Sequence, residues 1–363
     1  MTESMNTNAY HANHLAWVNA SGAAPERGLR TFLAALALRV IGGIAGRRMV
    51  GAWRDMQRAQ WLPAATLHTR NQVRLARLLQ HASVQVPFYR ETYRRIGLDP
   101  QGLRFVADLA QLPIVSKATY RAHRIEDFYA EDVPSYLRME RTTSGSTGQP
   151  FAFCLDRRVL PIIFASHLFY DSWFGLRPFD RYVRIMAPSA AEPSLPQGTP
   201  AMFRLRQTLS SRLQRFYESW TQRKIGVWDV DSERAYTVWQ CIKAFRPDFV
   251  MGYTSTLATL ADELLQQHLP LPRPLRGVIT IAETLSLPRR RLITQYFDAP
   301  IINRYGLREF GSWSAQNCVA SPDHFHVNTE LVTCEIVRAD GAPAAPGEIG
   351  RVVLTDLHNY ARP

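Results

Sequence analysis

Arg141-Thr142-Thr143-Ser144-Gly145-Ser146-Thr147-Gly148-Gln149-Pro150 sets five hydroxyl side chains and two glycines in the seven positions 142–148. Glycine lets a backbone turn tightly and approach a ligand, so that several N–H groups can converge on one anion. Serine and threonine hydroxyls add short donors for phosphate oxygens. A Walker-type loop needs a Gly-Lys-Ser/Thr ending, and no lysine stands near this run. A flexible Ser/Gly linker would lie in a polar, low-complexity neighbourhood. Here Tyr136-Leu137-Arg138-Met139-Glu140 precedes the run and Phe151-Ala152-Phe153-Cys154-Leu155 follows it. Both flanks read as strands, so the run is expected to be a hairpin-like turn that holds a polyphosphate.

Outward from the loop the chain resembles the adenylate-forming superfamily of acyl-activating enzymes, whose phosphate loop reads Thr-Ser-Gly-Ser/Thr-Thr-Gly-x-Pro. Within it the chain is most similar to the phenylacetate–CoA ligase family, including its capsular-polysaccharide-type relatives. Before the loop, Leu75-Ala76-Arg77-Leu78-Leu79-Gln80-His81-Ala82 with Val86-Pro87-Phe88-Tyr89-Arg90, and then Leu112-Pro113-Ile114-Val115-Ser116-Lys117, are similar to family segments. After it come Gly252-Tyr253-Thr254-Ser255, Ala282-Glu283-Thr284, Tyr305-Gly306-Leu307-Arg308-Glu309 and Pro346-Gly347-Glu348-Ile349-Gly350-Arg351, in the family's order. Each motif alone is weak to moderate; the ordered set, from Leu75 to Pro363, is strong.

The resemblance implies ATP-dependent activation of a carboxylic acid to an acyl-adenylate, then thioester formation with CoA or another thiol. It implies ATP, Mg2+ and CoA as cofactors, and a homodimer as an arrangement common among relatives. Thr143, Ser144, Gly145, Ser146, Thr147 and Gly148 would cradle the phosphates. Ala282 and Glu283 would border the adenine, and Tyr305-Gly306 would lie against the adenine or the acyl group. Asn303 takes a position where relatives often carry aspartate. Tyr253 and Thr254 would face the acyl pocket. Arg308 replaces the usual threonine and would pair with a phosphate or the substrate carboxylate; a surface arginine is the plainer reading. Glu309 would hold magnesium, which prefers one or two carboxylates beside phosphate oxygens. The plainer reading of Glu309 is a helix-start carboxylate, and that of Tyr305 a core tyrosine. In relatives an Arg-Tyr-x-x-Gly-Asp motif and a lysine-bearing lid domain follow shortly after Ala361-Arg362-Pro363. Weak or absent adenylation by this chain alone is therefore expected. A non-catalytic nucleotide-binding or scaffold protein of polysaccharide or lipid assembly is the rival reading, and a partial reading of a longer gene a third.

A formal charge of +12 and a pI near 9.9 invite a nucleic-acid reading. Yet the basic residues are scattered, and all but Lys117, Lys224 and Lys243 are arginine. No basic tract interleaves with aromatics, so nucleic acid is not expected and attraction for ATP, CoA or anionic lipid accounts for the charge. The four cysteines, Cys154, Cys241, Cys318 and Cys334, show no paired spacing and no secretory signal precedes them, as in a reduced cytoplasmic protein. Cys318, His324, His326 and Cys334 offer zinc's preferred ligand types in no standard spacing, and zinc is not favoured. The stretch 31–50 is too short and too charged for a membrane span. It reads as a helix packed on the body, with peripheral membrane contact the alternative.

Apolar spacing predicts helices over 71–85, two short pieces around Pro113, 159–173, 232–245, one marked by Leu257 to Leu265, and one from Ser286 to Phe297. Strands are predicted at 182–186, 248–251, 277–281 and 300–302. Alternating strands and helices imply a multilayer α/β domain, its mainly parallel sheet flanked by helices, with ligands at the carboxyl ends of the strands. Leu331–Val337 and Gly350–Leu354 flank turns at Asp340-Gly341 and Pro346-Gly347, the pattern of a small C-terminal β-barrel-like subdomain. The expected organisation is a tail and amphipathic helix over 1–60, an α/β core over 61–320 and an antiparallel β unit over 321–363.

Overall fold

Strand-forming residues on both sides of the glycine- and hydroxyl-rich run pair with one another: β1 (Arg138–Thr143) and β2 (Phe151–Asp156) are antiparallel, and Thr143 faces Phe151. This is the hairpin expected from the flanks, although Tyr136 and Leu137 belong to a 3-10 turn after Pro134 rather than to β1. The computed structural model describes residues 46–98, 106–143, 151–177, 179–186, 195–226, 230–311 and 313–363. The loop positions Ser144, Gly145, Ser146, Thr147 and Gly148 lie outside the described residues, as do 1–45 of the expected N-terminal tail and helix.

The main sheet takes the order β4-β3-β5-β6-β7-β8-β9. Its strands are β3 (Tyr182–Met186), β4 (Gln222–Gly226), β5 (Phe249–Tyr253), β6 (Gly277–Ile281), β7 (Ile301–Gly306), β8 (Trp313–Cys318) and β9 (Ser321–Val327). From β4 to β7 every pairing is parallel; β8 and β9 join antiparallel. Helices Ala201–Thr221, Ser232–Phe245, Thr254–Gln266 and Leu287–Phe297 connect the parallel strands. Val183, Ile185, Val250 and Val278 pack on one face against Val238, Ile242, Leu257, Leu260 and Phe297. Phe249, Met251, Ile279 and Ile302 fill the other face with Phe174. Burial on both faces is why β5 and β6 read as near-continuous apolar runs. The large parallel-dominated sheet flanked by helices is the architecture expected. Ser321–Val327, read from sequence as the start of the C-terminal unit, belongs to this sheet through β8.

Local signals set the helix ends. Asp231 accepts a hydrogen bond from the Arg234 N–H at 2.9 Å and opens the helix Ser232–Phe245. Ser286 holds the corresponding position before Leu287–Phe297 but makes no side-chain cap bond; Pro288 alone preorganises that start. Pro87 follows the helix Ala64–Gln85, with Val86 extended before it, and begins the next helix, Pro87–Arg95. Residues 46–59 are helical and bury Val50, Met56 and Ala59. No helix among the described residues is long and apolar enough to cross a membrane.

Toward the C-terminus β10 (Val332–Val337) and β11 (Arg351–Asp356) form the expected hairpin, a two-stranded sheet among the described residues. Asn71, on the helix Ala64–Gln85, donates to the carbonyls of Thr329 (2.8 Å) and Val332 (3.1 Å) and accepts from Thr333 (2.7 Å). Glu330 lies beside it, 2.8 Å from Arg70 Nη2 and 2.6 Å from Arg74 Nη2. Burial pushes the Glu330 carboxyl up, but the guanidinium hydrogen bonds of Arg70 and Arg74 outweigh it and hold the pKa below the ordinary value. A carboxylate depressed on folding contributes stability above its unfolded pKa, and that contribution is lost as pH falls through the folded pKa. Glu330→Gln is therefore expected to lower stability at neutral pH and to flatten its acid limb below about pH 4.5; urea midpoints at stepped pH check this.

Candidate active site

Three parallel strands end side by side: Tyr253 of β5 pairs with Ile281 of β6, and Ile281 pairs with Arg304 of β7. Tyr253, Ala282 and Tyr305 therefore stand in a row at the carboxyl edge of the sheet, where ligands of such folds bind. Gly252 permits this edge to close. A Cβ there would lie 2.7 Å from the Ile185 carbonyl oxygen and 3.1 Å from Leu257 Cγ. Gly252→Ala is expected to cost roughly 1–3 kcal/mol by overpacking, measured by denaturant unfolding.

Ala282 has φ +67°, a left-handed conformation that few alanines adopt. It turns the chain out of β6, leaving Ala282, Glu283 and Thr284 exposed. The Glu283 carboxylate accepts from the Ser255 N–H (2.8 Å) and hydroxyl (2.9 Å) at the start of the helix Thr254–Gln266. Its side chain thus serves as a helix-terminus acceptor, and its backbone borders the cleft. Thr254 is fully buried and donates to the Glu283 carbonyl at 3.2 Å. That hydroxyl ties β5 to the β6 turn rather than facing an acyl group, whereas Tyr253 is half-buried.

Asn303 Oδ1 accepts from Thr280 Oγ1 at 3.1 Å, and its N–H donates to Asn317 at 2.8 Å. Its carbonyl oxygen is therefore engaged within the sheet. Tyr305 is 39% exposed, too open for an ordinary core tyrosine, and its ring meets Phe325 edge-on at 6.2 Å. Partial burial raises the Tyr305 phenol pKa, keeping it neutral and able to donate.

Past Gly306, residues Leu307 to Gly311 form a turn in which the Phe310 and Gly311 N–H groups donate to the Leu307 carbonyl. Glu309 therefore lies in a turn, and the helix-start alternative falls away. Gly311 has φ +68°, and a Cβ on it would sit 2.8 Å from Ile163 Cδ1 and 3.1 Å from Leu155 Cδ1. Close packing on β2 and on the helix Leu160–Ser172 draws the turn toward the hairpin. There Glu309 Oε1 meets Lys117 Nζ at 3.1 Å, and the same ammonium lies 5.2 Å from the centre of the Phe151 ring. Phe151 is the strand partner of Thr143. Thr143 Oγ1 is buried with no hydrogen-bond partner among the described residues, an orphan donor at the root of the loop. Arg308 is exposed beside Glu309.

The loop's two ends and Glu309 are thus joined through Lys117. Sequence reading placed Lys117 in a motif without a chemical role; the only signal was a lysine in a chain that has three. His167 escaped it altogether. Its imidazole, 5.7 Å from the Trp313 ring, is pushed down to about pKa 3 by burial first and by Arg304 and Arg184 next, so it stays neutral. Cys318 lies in β8, His324 and His326 in β9 and Cys334 in β10; among the described residues no three His, Cys, Asp or Glu side chains converge to hold a metal.

Glu309 and the unpaired Thr143 hydroxyl are hard oxygen ligands, the donor type magnesium accepts. The residues present therefore fit a magnesium–polyphosphate group.

No protein-family model matches the chain. Phenylacetate-coenzyme A ligase of Thermus thermophilus is 26% identical over 308 residues, covering 83% of this chain and 64% of the relative. The Escherichia coli enzyme of the same name is 25% identical over 296 residues, covering 80% of this chain and 63% of its own length. The chain thus spans somewhat under two thirds of these homologues. A solved structure of 2-hydroxyisobutyryl-CoA ligase, in an open conformation with 2-HIB-AMP and CoA, superposes with a TM-score of 0.65 at 21% identity, covering 83% of this chain and 68% of that one. The fold is that of the adenylate-forming CoA ligases.

Proposed function

We propose that this chain is the acid-activating large domain of an AMP-forming acyl-CoA ligase similar to the phenylacetate–CoA ligases. A carboxylate oxygen attacks the α-phosphorus of ATP, giving acyl-adenylate and pyrophosphate; a CoA thiol then displaces AMP. The observation that carries the reading is the Thr143–Phe151–Lys117–Glu309 contact chain, which sets a carboxylate at the root of a glycine- and hydroxyl-rich loop beside the carboxyl edge of a parallel sheet. The ordered homology to CoA ligases adds to it.

Each residue then has a task. Thr143, whose hydroxyl has no partner among the described residues, donates it to a phosphate oxygen, and the glycines and hydroxyls of the 144–148 sequence suit it to cradling the phosphates. The Ala282-Glu283 backbone borders the adenine, and Tyr305 covers the adenylate with its exposed ring. Asn303 orients that edge from behind. Tyr253 borders the acyl group. Arg308, exposed beside Glu309, would supply a cation to a phosphate or to the substrate carboxylate. Bound at Glu309, magnesium would neutralise phosphate charge; without it, Lys117 keeps the carboxylate in place.

The test is equilibrium binding of ATP with magnesium, followed by pyrophosphate release with phenylacetate and a panel of other acids. ATP binding that magnesium strengthens, with pyrophosphate release that depends on an added acid, is the expected result. Absence of any nucleotide binding would overturn the assignment.

A further inference from the structure

The helix Ala201–Thr221, between β3 and β4, has a face that nothing among the described residues covers. Met202, Leu205, Leu209, Phe216 and Trp220 recur at helical spacing, so they form one stripe along the axis. They are 66%, 56%, 51%, 65% and 70% exposed. The helix holds the body by another face: Phe203 meets Tyr136 at 5.2 Å and Tyr217 meets Phe179 at 5.8 Å.

The stripe is flanked by basic residues. Arg206 and Arg212 are exposed on its two sides, Arg204 and Arg215 are exposed further round the helix, and Arg223 and Lys224 are exposed on β4. Glu218 is the one acid between 195 and 226, and Lys224 Nζ (2.6 Å) and Gln214 (2.9 Å) already hold it. Because β4 is the terminal strand of the sheet, the face lies at an edge open to a flat partner.

We propose that this face seats the protein on a bilayer containing anionic phospholipid. The apolar stripe enters the boundary between headgroups and acyl chains, and the guanidiniums reach lipid phosphates. Charge selects this occupant. Two copies pairing through the stripe would bring the flanking Arg206 and Arg212 of both copies together with little acid to neutralise them, whereas an anionic surface attracts them. Phe216 and Trp220, 6.2 Å apart, supply the amphipathic rings that settle at membrane interfaces. The stretch 31–50 is not needed for the argument and serves as its control.

The test is flotation of the full 363-residue chain with phosphatidylcholine vesicles, with and without phosphatidylglycerol. Binding is expected only with the anionic lipid and should weaken with salt. The Leu209→Ser/Phe216→Ser variant should weaken it by at least about tenfold, since burying a single Leu or Phe is worth that much. Separately, Arg206→Glu/Arg212→Glu should also weaken it by at least about tenfold, since two basic residues beside an anionic surface contribute that much. Circular dichroism checks that both remain folded. Trp220→Phe should float normally yet lose part of the tryptophan quenching by brominated lipid, which misfolding cannot mimic. Absence of flotation with anionic vesicles overturns the proposal. So does flotation undiminished in both variants, which would assign it to another segment such as 31–50. Stripe variants that turn a dimer into monomers without any vesicle binding would give the face to a second copy instead.

Discussion

Arg304→Leu is expected to destabilise the protein by about 3–5 kcal/mol, because removing one partner of a buried ion pair strands the other. Arg304 is only 4% exposed, and Nη2 lies 2.6 Å from Asp171 Oδ1 while Nε donates to Gln316 at 2.6 Å. Gln316 in turn donates to the Tyr170 carbonyl, so three elements meet at one guanidinium. Burial pushes the Asp171 carboxyl up and Arg304 pulls it back, yet the balance stays above the ordinary value. Without Arg304 that carboxylate would face low dielectric unpaired. Arg304→Leu/Asp171→Leu should recover much of the loss, since replacing both charges removes the stranded one. Denaturant titration of the single and double variants decides between a buried pair and mere loss of volume. Tyr305 is the next residue on β7, so the single variant should also disturb the site.

Glu309→Gln is expected to weaken MgATP binding by about 10- to 150-fold, while ATP without magnesium is little affected. The arithmetic rests on losing an interaction to a charged group, worth about 1.5–3 kcal/mol. Glu309 is a turn residue whose carboxylate contacts Lys117 rather than any core group, so folding should survive. The Lys117 side chain is 57% exposed, which makes the ion pair a weak contributor to stability. Calorimetric titration with and without magnesium checks the prediction. Equal losses under both conditions would mean that Glu309 acts through the loop's shape and not through the cation.

Much of the α/β framework was legible because parallel strands buried on both faces need near-continuous apolar runs, and Phe249-Val250-Met251 and Gly277-Val278-Ile279 are such runs. The helix Ala201–Thr221 and β4 were not foreseen. That helix buries almost nothing, and β4 reads Gln-Arg-Lys-Ile-Gly, an edge strand whose side chains are mostly exposed. Ser286 was read as a side-chain cap from its residue type, but whether a hydroxyl reaches an N–H depends on a rotamer that type does not specify. Thr254 was read toward the ligand because its motif neighbours Tyr253; the chain turns into a helix at that residue and takes the hydroxyl inward.

From residue order alone came the alternation of strands and helices, the hairpin bracketing 144–150, and the short list of groups with the right chemistry for a nucleotide. Those properties are local, set by side-chain periodicity and backbone freedom over a few residues. Tertiary packing decided which of those groups meet. Only the fold lays the 307–311 turn against Leu155 and Ile163, and so carries Glu309 to Lys117 and to the strand pair that roots the loop. It alone turns Glu283 to a helix terminus and buries Arg304 against Asp171 and Gln316, one residue before Tyr305 on β7. Contacts between residues more than a hundred positions apart depend on how sheet and helices stack, and no short stretch of sequence encodes that stacking.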